Sequence, residues 1–354
     1  MIKNLTGIRF YLFLFIWWSH MGNFVPFSYK EIIYPCMQTA AFSVTFFFML
    51  SGFGLTLGYA DKFSDNFYEY KNFIKKRFVK LYPLYFLTGL VFFNPLIWFA
   101  WLTGFIFLYV PMLQVYTTKY VFFANGAGWF VAALFFSYIV CPFLLFFLNK
   151  IKDVKIYYYL FAFPFIALFL IYGFLKIHSS ETVYSFINHL PQTWFLVFLT
   201  GVLLGFIYKK SLCSKLEMLS IGYFQKSALD IVLIVFCLYG IFKCFNPQNF
   251  MTFIVITAIE IPLLVYLCIP KRSLFSDFLT GKFSLLLSSV SMECYLIHYF
   301  YAMKLPKILP FFCLNSLKGL AVSCLIVLIL TIITSFIYNS LQKRVTDLIC
   351  HKSR

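Results

Sequence analysis

Charge is scarce in this 354-residue chain: 12% of its residues are charged, and only twelve of them are Asp or Glu. Soluble domains carry about 25% charged residues, so a water-exposed globular surface is excluded. Metal-binding and redox spacings are missing too. The ten cysteines form no Cys-x-x-Cys or ligand cluster, and most lie in apolar runs as small core hydrophobes. No metal is expected. Cys36 and Cys313 fall on predicted outer connectors, where a disulfide is one option. No cleavable leader is expected either, because the first apolar run carries Arg9 and His20 and no small-residue cleavage site. No connector is long enough for a soluble domain, and no internal repeat is visible. Any chemistry belongs within a bundle or at its mouths.

What is present is apolar: 62% of the residues are hydrophobic, including 50 Phe and 25 Tyr. Runs of about twenty apolar residues recur throughout, the length that crosses a roughly 30 Å hydrocarbon core. Unbroken Leu, Ile and Phe runs fit helices rather than alternating barrel strands. The expected fold is all-α, a polytopic membrane helix bundle forming a single domain over 1–354. Ten spans are predicted, near 8–26, 38–59, 81–101, 128–148, 156–175, 191–208, 228–245, 250–269, 283–303 and 317–341. The stretch 102–127 is apolar but broken by Pro111 and by Asn125-Gly126-Ala127-Gly128, so it reads as re-entrant or interfacial. That topology places 22 of the 29 Lys and Arg in cytoplasmic connectors and tails, including a short basic tail at 342–354. The positive-inside rule then puts both termini in the cytoplasm. The net charge of +17 therefore reports orientation, and no nucleic-acid partner is expected.

Polar groups inside a bilayer are costly, which makes each one a functional candidate. The short list is Arg9, His20, Asp230, Glu260, Glu293 and His298. Arg9 and His20 are eleven residues apart, three helical turns with about 20° left over, so they share a face roughly 16 Å apart. A snorkelling Arg and a core His account for them structurally. The functional alternative joins a fixed cation for a phosphate or carboxylate to a base suited to neutral pH. The run Lys75 to Pro83 sets Arg77 and Lys80 one turn apart if helical, with Pro83 as the first-turn residue of the third span. It serves either as a positive-inside anchor or as a phosphate clamp at the cytoplasmic mouth. Ser291, Tyr295 and His298 follow i, i+4, i+7 and form one polar stripe, either as helix glue or as a cavity lining. Glu293 lies about 140° from His298 around the axis, so the two make no dyad within that helix. Glu260 has no partner legible in the sequence. His178 and His189 read as solvated residues of an outer connector.

These motifs, taken in order, resemble the acyltransferase-3 family of integral membrane acyltransferases. Arg9 followed by His20 looks like its opening Arg-x10-His motif, and Ser51-Gly52-Phe53 like its second-helix signature. Arg77 to Pro83 resembles its Arg-x-x-Arg segment running into Tyr-Pro. Trp129, Tyr138 and Pro142 resemble its Trp-Tyr-Pro helix, and Ser291 to His298 its Tyr-Leu-x-His helix. The resemblance implies ten transmembrane helices and transfer of an acyl group, usually acetyl from acetyl-CoA, to a carbohydrate hydroxyl. It implies His20 and Arg9 as the essential pair, with Arg77 and Lys80, and by extension Ser51 and Arg9, on the donor side. Trp129, Ser291, Glu293, Tyr295 and His298 are the residues expected on the acceptor side. Thr6 stands where members often have Asp, Lys80 replaces the second Arg, and Leu134 and Phe135 stand where many carry Glu.

The expected activity is thus membrane-embedded O-acylation of a surface or exported glycan (O-antigen, capsule or exopolysaccharide) in a bacterial inner membrane. His20 would act as base or as transient acyl carrier. A transporter or flippase is the rival from another class. It would line a pathway with the same polar stripes without consuming acyl-CoA. A glycan polymerase would need a large outer loop, which this topology lacks.

Overall fold

The computed structural model describes residues 2–25, 29–31, 33, 37, 39–63, 67–177, 180–243, 250–308 and 316–351. Cys36, Cys313, His178 and the last three residues of the basic tail lie outside that set. Fourteen α-helices and no strand occur among the described residues. The first seven are α1 (Lys3–His20), α2 (Ala40–Tyr59), α3 (Phe67–Leu90), α4 (Trp98–Gly104), α5 (Gly128–Asn149), α6 (Val154–Ile177) and α7 (Glu181–His189). Then come α8 (Pro191–Ile207), prolonged through a π turn to Glu217, α9 (Tyr223–Lys243) and α10 (Phe250–Leu267). Last are α11 (Leu274–Thr280), α12 (Lys282–Ser288), α13 (Ser291–Ile308) and α14 (Leu317–His351). Residues 342–351 of the predicted basic tail continue α14.

Among the described residues, five helices are long and apolar enough to cross a membrane: α2, α5, α6, α8 with its extension, and α14. The other predicted spans overlap helices that carry the polar candidates, without matching all of their bounds. Arg9 and His20 lie on α1, the basic run on α3, Asp230 on α9, Glu260 on α10 and Glu293 on α13.

Predicted boundaries move at the third span and at the ninth. The third span, placed at 81–101, does not exist as one helix. The chain turns after Leu90, where Asn94 precedes Pro95 and its side chain accepts from the Leu96 N–H at 3.0 Å. A residue before proline is pushed out of the helical region. In the other direction, Pro83 opens nothing: α3 starts at Phe67 and runs straight through it. Pro83 has no N–H to give the Val79 carbonyl, and Gln342 of α14 supplies a donor there instead, Nε2 to O at 3.0 Å. The ninth span is likewise divided, into α12 and α13 with a turn at 289–290.

The core forms where backbones approach without side chains between them. A Cβ on Gly201 of α8 would stand 1.9 Å from the Met49 carbonyl oxygen, and one on Gly52 of α2 would stand 2.1 Å from that of Phe198. Small residues that let helices meet backbone to backbone are how membrane bundles gain packing energy. α1 is held in the same manner: Gly7 abuts Leu279, and Ser288 Oγ donates to the Gly7 carbonyl at 2.7 Å.

The segment 98–127 does not cross as a helix. α4 and the π turn Phe105–Tyr109 together are only twelve residues, roughly 18 Å of rise. The chain then runs irregularly, with Met112 and Ala124 at positive φ. Tyrosines of α3 receive this irregular backbone. Tyr85 stacks on Tyr109 at 4.2 Å and donates to the Tyr109 carbonyl at 2.6 Å, while Tyr82 donates to that of Val110 at 3.1 Å. Non-helical backbone at membrane depth needs such internal partners. Asn125 completes the seam by donating to the Leu296 carbonyl of α13 at 3.0 Å.

Candidate functional site

A cavity of about 490 Å³ opens among α1, α2, α3, α5 and α13, within the size range of small-molecule sites. Arg9, Ser51, Arg77, Lys80, Ser291 and Tyr295 all line it, and no Asp or Glu does among the described residues. On its α2 side Ser51, Gly54 and Gly58 succeed one another. A Cβ at either glycine would meet nothing within 4 Å, so this wall is a smooth backbone track.

The three cations arrive from two helices. α1 turns Arg9 inward. On α3, Arg77 and Lys80 share a face because they are one turn apart. Arg77 is caged by rings: its guanidinium carbon lies 5.6 Å from the Tyr59 centroid, 5.2 Å from Phe73 and 5.4 Å from Tyr138. Cation–π contacts of this kind fix the guanidinium plane. Its Nε is buried with no hydrogen-bond partner. None of the three cations has a carboxylate at ion-pair distance among the described residues. The cavity wall thus gathers three positive charges and no carboxylate, the acid that acts on Lys80, Glu293, lying off the wall, and the field of such a concave site favours negative charge. Phe73 is one turn before Arg77 and was legible as a partner in the sequence; Tyr59 carried no such signal.

His20 does not line this cavity. It sits at the C-terminal end of α1, where its Nδ1 lies 2.9 Å from Nε2 of His298 on α13. Tyr295 connects the two regions. Its ring lines the cavity and packs 5.8 Å from the His298 ring, while its hydroxyl donates to the Ala127 carbonyl at 3.1 Å. His298 is fully buried and Glu293 is 6% exposed. Glu293 lies off the cavity wall, close enough to Lys80 and Lys343 for their charges to act on it.

Trp129 is also off the cavity. It packs at 5.2 Å against Trp194 and at 5.1 Å, edge to face, against His189. The expectation of a solvated His189 is therefore corrected. It is half-buried, between Trp129 and Phe122, with Nδ1 2.6 Å from the Ser185 carbonyl. Spacing did not expose this, because the three residues come from three separate segments. Glu260 gains a partner, Thr45 Oγ1 donating at 2.5 Å. Asp230 accepts from the Tyr266 hydroxyl at 2.6 Å and the Phe275 N–H at 3.1 Å. Both acids stand apart from the cavity. No group of three or more His, Cys, Asp or Glu suited to a metal occurs among the described residues.

The family model described as an acyltransferase domain, acyltransferase-3, matches residues 2–339, nearly the whole chain. The chain matches no curated protein and no solved structure.

Proposed function

Because the chain belongs to the acyltransferase-3 family of membrane acyltransferases, we propose that it transfers an acetyl group from cytoplasmic acetyl-CoA to a hydroxyl of a surface or exported carbohydrate. The observation that carries this reading is the cavity: three unpaired cations at a smooth-walled site, joined through Tyr295 to a histidine pair. Arg77, Lys80 and Arg9 hold the donor's phosphates. The slender pantetheine arm follows Ser51, Gly54 and Gly58 and brings the thioester toward His20. His20 takes the acceptor hydroxyl's proton as the oxygen attacks the thioester carbonyl. The C–S bond breaks, and the leaving thiolate recovers that proton from His20. Trp129, with His189 beside it, offers an aromatic wall on the acceptor side, and Ser291 and Tyr295 border the route between.

The same reading takes α1, α2, α3, α5, α6, α8, α9, α10, α13 and α14 as ten spans of a bacterial inner-membrane protein. Residues 98–127 are then re-entrant or interfacial, and both termini are cytoplasmic. The distribution of 22 of 29 basic residues supports it.

The test is thiol release from acetyl-CoA by native membrane vesicles, read beside O-acetyl signals in surface polysaccharide by NMR. Wild type is expected to give both, and His20→Ala, still inserted, neither. Wild-type product levels from His20→Ala would overturn the proposal. A transporter or flippase would move solute with no thiol released.

A further inference from the structure

His20 and His298 are 278 residues apart in the chain, yet their rings meet with centroids 5.0 Å apart. The hydrogens of this pair follow from its partners. Nδ1 of His298 is 3.1 Å from the Cys294 carbonyl oxygen. A carbonyl oxygen only accepts, so that nitrogen carries a hydrogen. The His298 side chain is fully buried, and neither ring has a carboxylate at ion-pair distance among the described residues. The carbonyls of Cys294 and Tyr295 at His298 and of Ile16 at His20 are dipoles rather than charges, and with no negative charge beside it the desolvation of an imidazolium is not offset. The ring is therefore neutral, its Nε2 is a lone pair, and the 2.9 Å bond runs from His20 Nδ1–H to His298 Nε2. A neutral His20 with its hydrogen on Nδ1 keeps a free lone pair on Nε2.

We infer that His298 is a positioning residue: it holds His20 in the Nδ1–H tautomer and leaves Nε2 free to receive the acceptor's proton. This rests on the acyl-transfer reading of His20. It also reassigns His298, expected from sequence on the acceptor side. Both its nitrogens are engaged inside the protein, so none remains for a sugar. Ring contacts keep the pair in register, since Phe13 packs edge-on to His298 at 5.5 Å and Tyr299 edge-on to His20 at 5.4 Å. The Cys294 carbonyl to His298 to His20 relay has the logic of a base oriented by a third group.

The decisive experiment is ¹⁵N NMR of histidine-labelled full-length protein in nanodiscs, with His20 assigned by its substitution. The wild-type spectrum should show His20 with a protonated Nδ1 and an unprotonated Nε2, and His298→Ala should show a mixture of tautomers. In vesicles, His298→Ala should lower the rate of thiol release from acetyl-CoA by about 10²–10⁴-fold with the donor KM unchanged. His298→Gln places an accepting oxygen near the Nε2 position and should recover most of that loss. A wild-type His20 protonated on Nε2 overturns the inference, as does a folded Gln variant no better than Ala. The wild-type spectrum needs no variant of His298 to fold. If it shows the Nδ1–H tautomer while vesicles release no thiol, the positioning stands and the acyltransfer reading falls.

Discussion

Two polar clusters sit in this apolar bundle, and they are finished differently. In the first, Lys226, 1% exposed, donates to the carbonyls of Ile269 and Lys271. One turn on, Asp230 has both oxygens filled by Tyr266 and Phe275. In the second, Arg9, Arg77 and Lys80 border a cavity with no carboxylate, and Arg77 Nε has no partner. The first cluster ties the 268–273 connector to α9 and is complete. The second is left open, and an unpaired buried polar group carries a desolvation cost. Between these two clusters the difference is completeness, more than burial or charge.

Removing a residue from the open cluster should harm binding and spare folding. Arg77→Ala is expected to raise the donor KM by about 10–100-fold, the loss of one or two charge-assisted hydrogen bonds, with the unfolding temperature nearly unchanged. Arg77→Lys keeps the charge and loses the planar fork seated among three rings, so an intermediate value is expected. An unchanged donor affinity in the double variant of Arg77 and Lys80 would remove the phosphate clamp. The closed cluster should respond in the opposite sense. Asp230→Ala strands the Tyr266 hydroxyl and the Phe275 N–H, costing about 2–4 kcal/mol and several degrees of Tm, with kcat and KM of the folded fraction unaltered. A kinetic defect with normal Tm would show that the comparison has the clusters reversed.

Glycines extend the same contrast to shape. Gly201→Ala forces a methyl against the Met49 carbonyl and should destabilise by about 1–3 kcal/mol, as overpacking does. Gly54 meets open space, so Gly54→Leu should leave Tm alone and fill part of the proposed donor track, raising KM by roughly 15- to 60-fold if two to three methylenes of contact are lost. Equal effects of the two substitutions on Tm would deny that the α2 wall is open.

Much of this was legible in the sequence where the signal is local. The all-helical class follows from run length, and the Arg77–Lys80 register, which puts both side chains on one cavity, from one turn. What was not legible is long-range. The pairing of His20 with His298 depends on how α1 lies against α13, and no periodicity within either helix states it. Pro83 read as a helix start because the compensating donor, Gln342, comes from the far end of the chain. The break at Asn94-Pro95 did carry a local signal, a residue before proline inside the predicted span 81–101. His189 was assigned to solvent by its connector, whereas Trp129 and Phe122 reach it from other segments.

The smallest expected effect lies on the surface, at the one ion pair joining α11 to its preceding connector. Arg272 binds Asp277 through two bonds, 3.0 and 3.1 Å, and holds its carboxyl below the ordinary aspartate value. A depressed carboxylate contributes stability above its unfolded pKa and loses it as pH falls through the folded one, so any contribution belongs to neutral pH and vanishes in acid. Both side chains are solvated, the Arg272 side chain being 80% exposed, and water and salt screen such pairs almost completely. Arg272→Ala should therefore leave Tm within error at pH 7 as well as at pH 3, beside the several degrees lost in Asp230→Ala. A loss at pH 7 that matches Asp230→Ala would mean that a charge in water matters here as much as a completed buried network, and the distinction between the clusters would have to rest on something other than the satisfaction of buried polar groups.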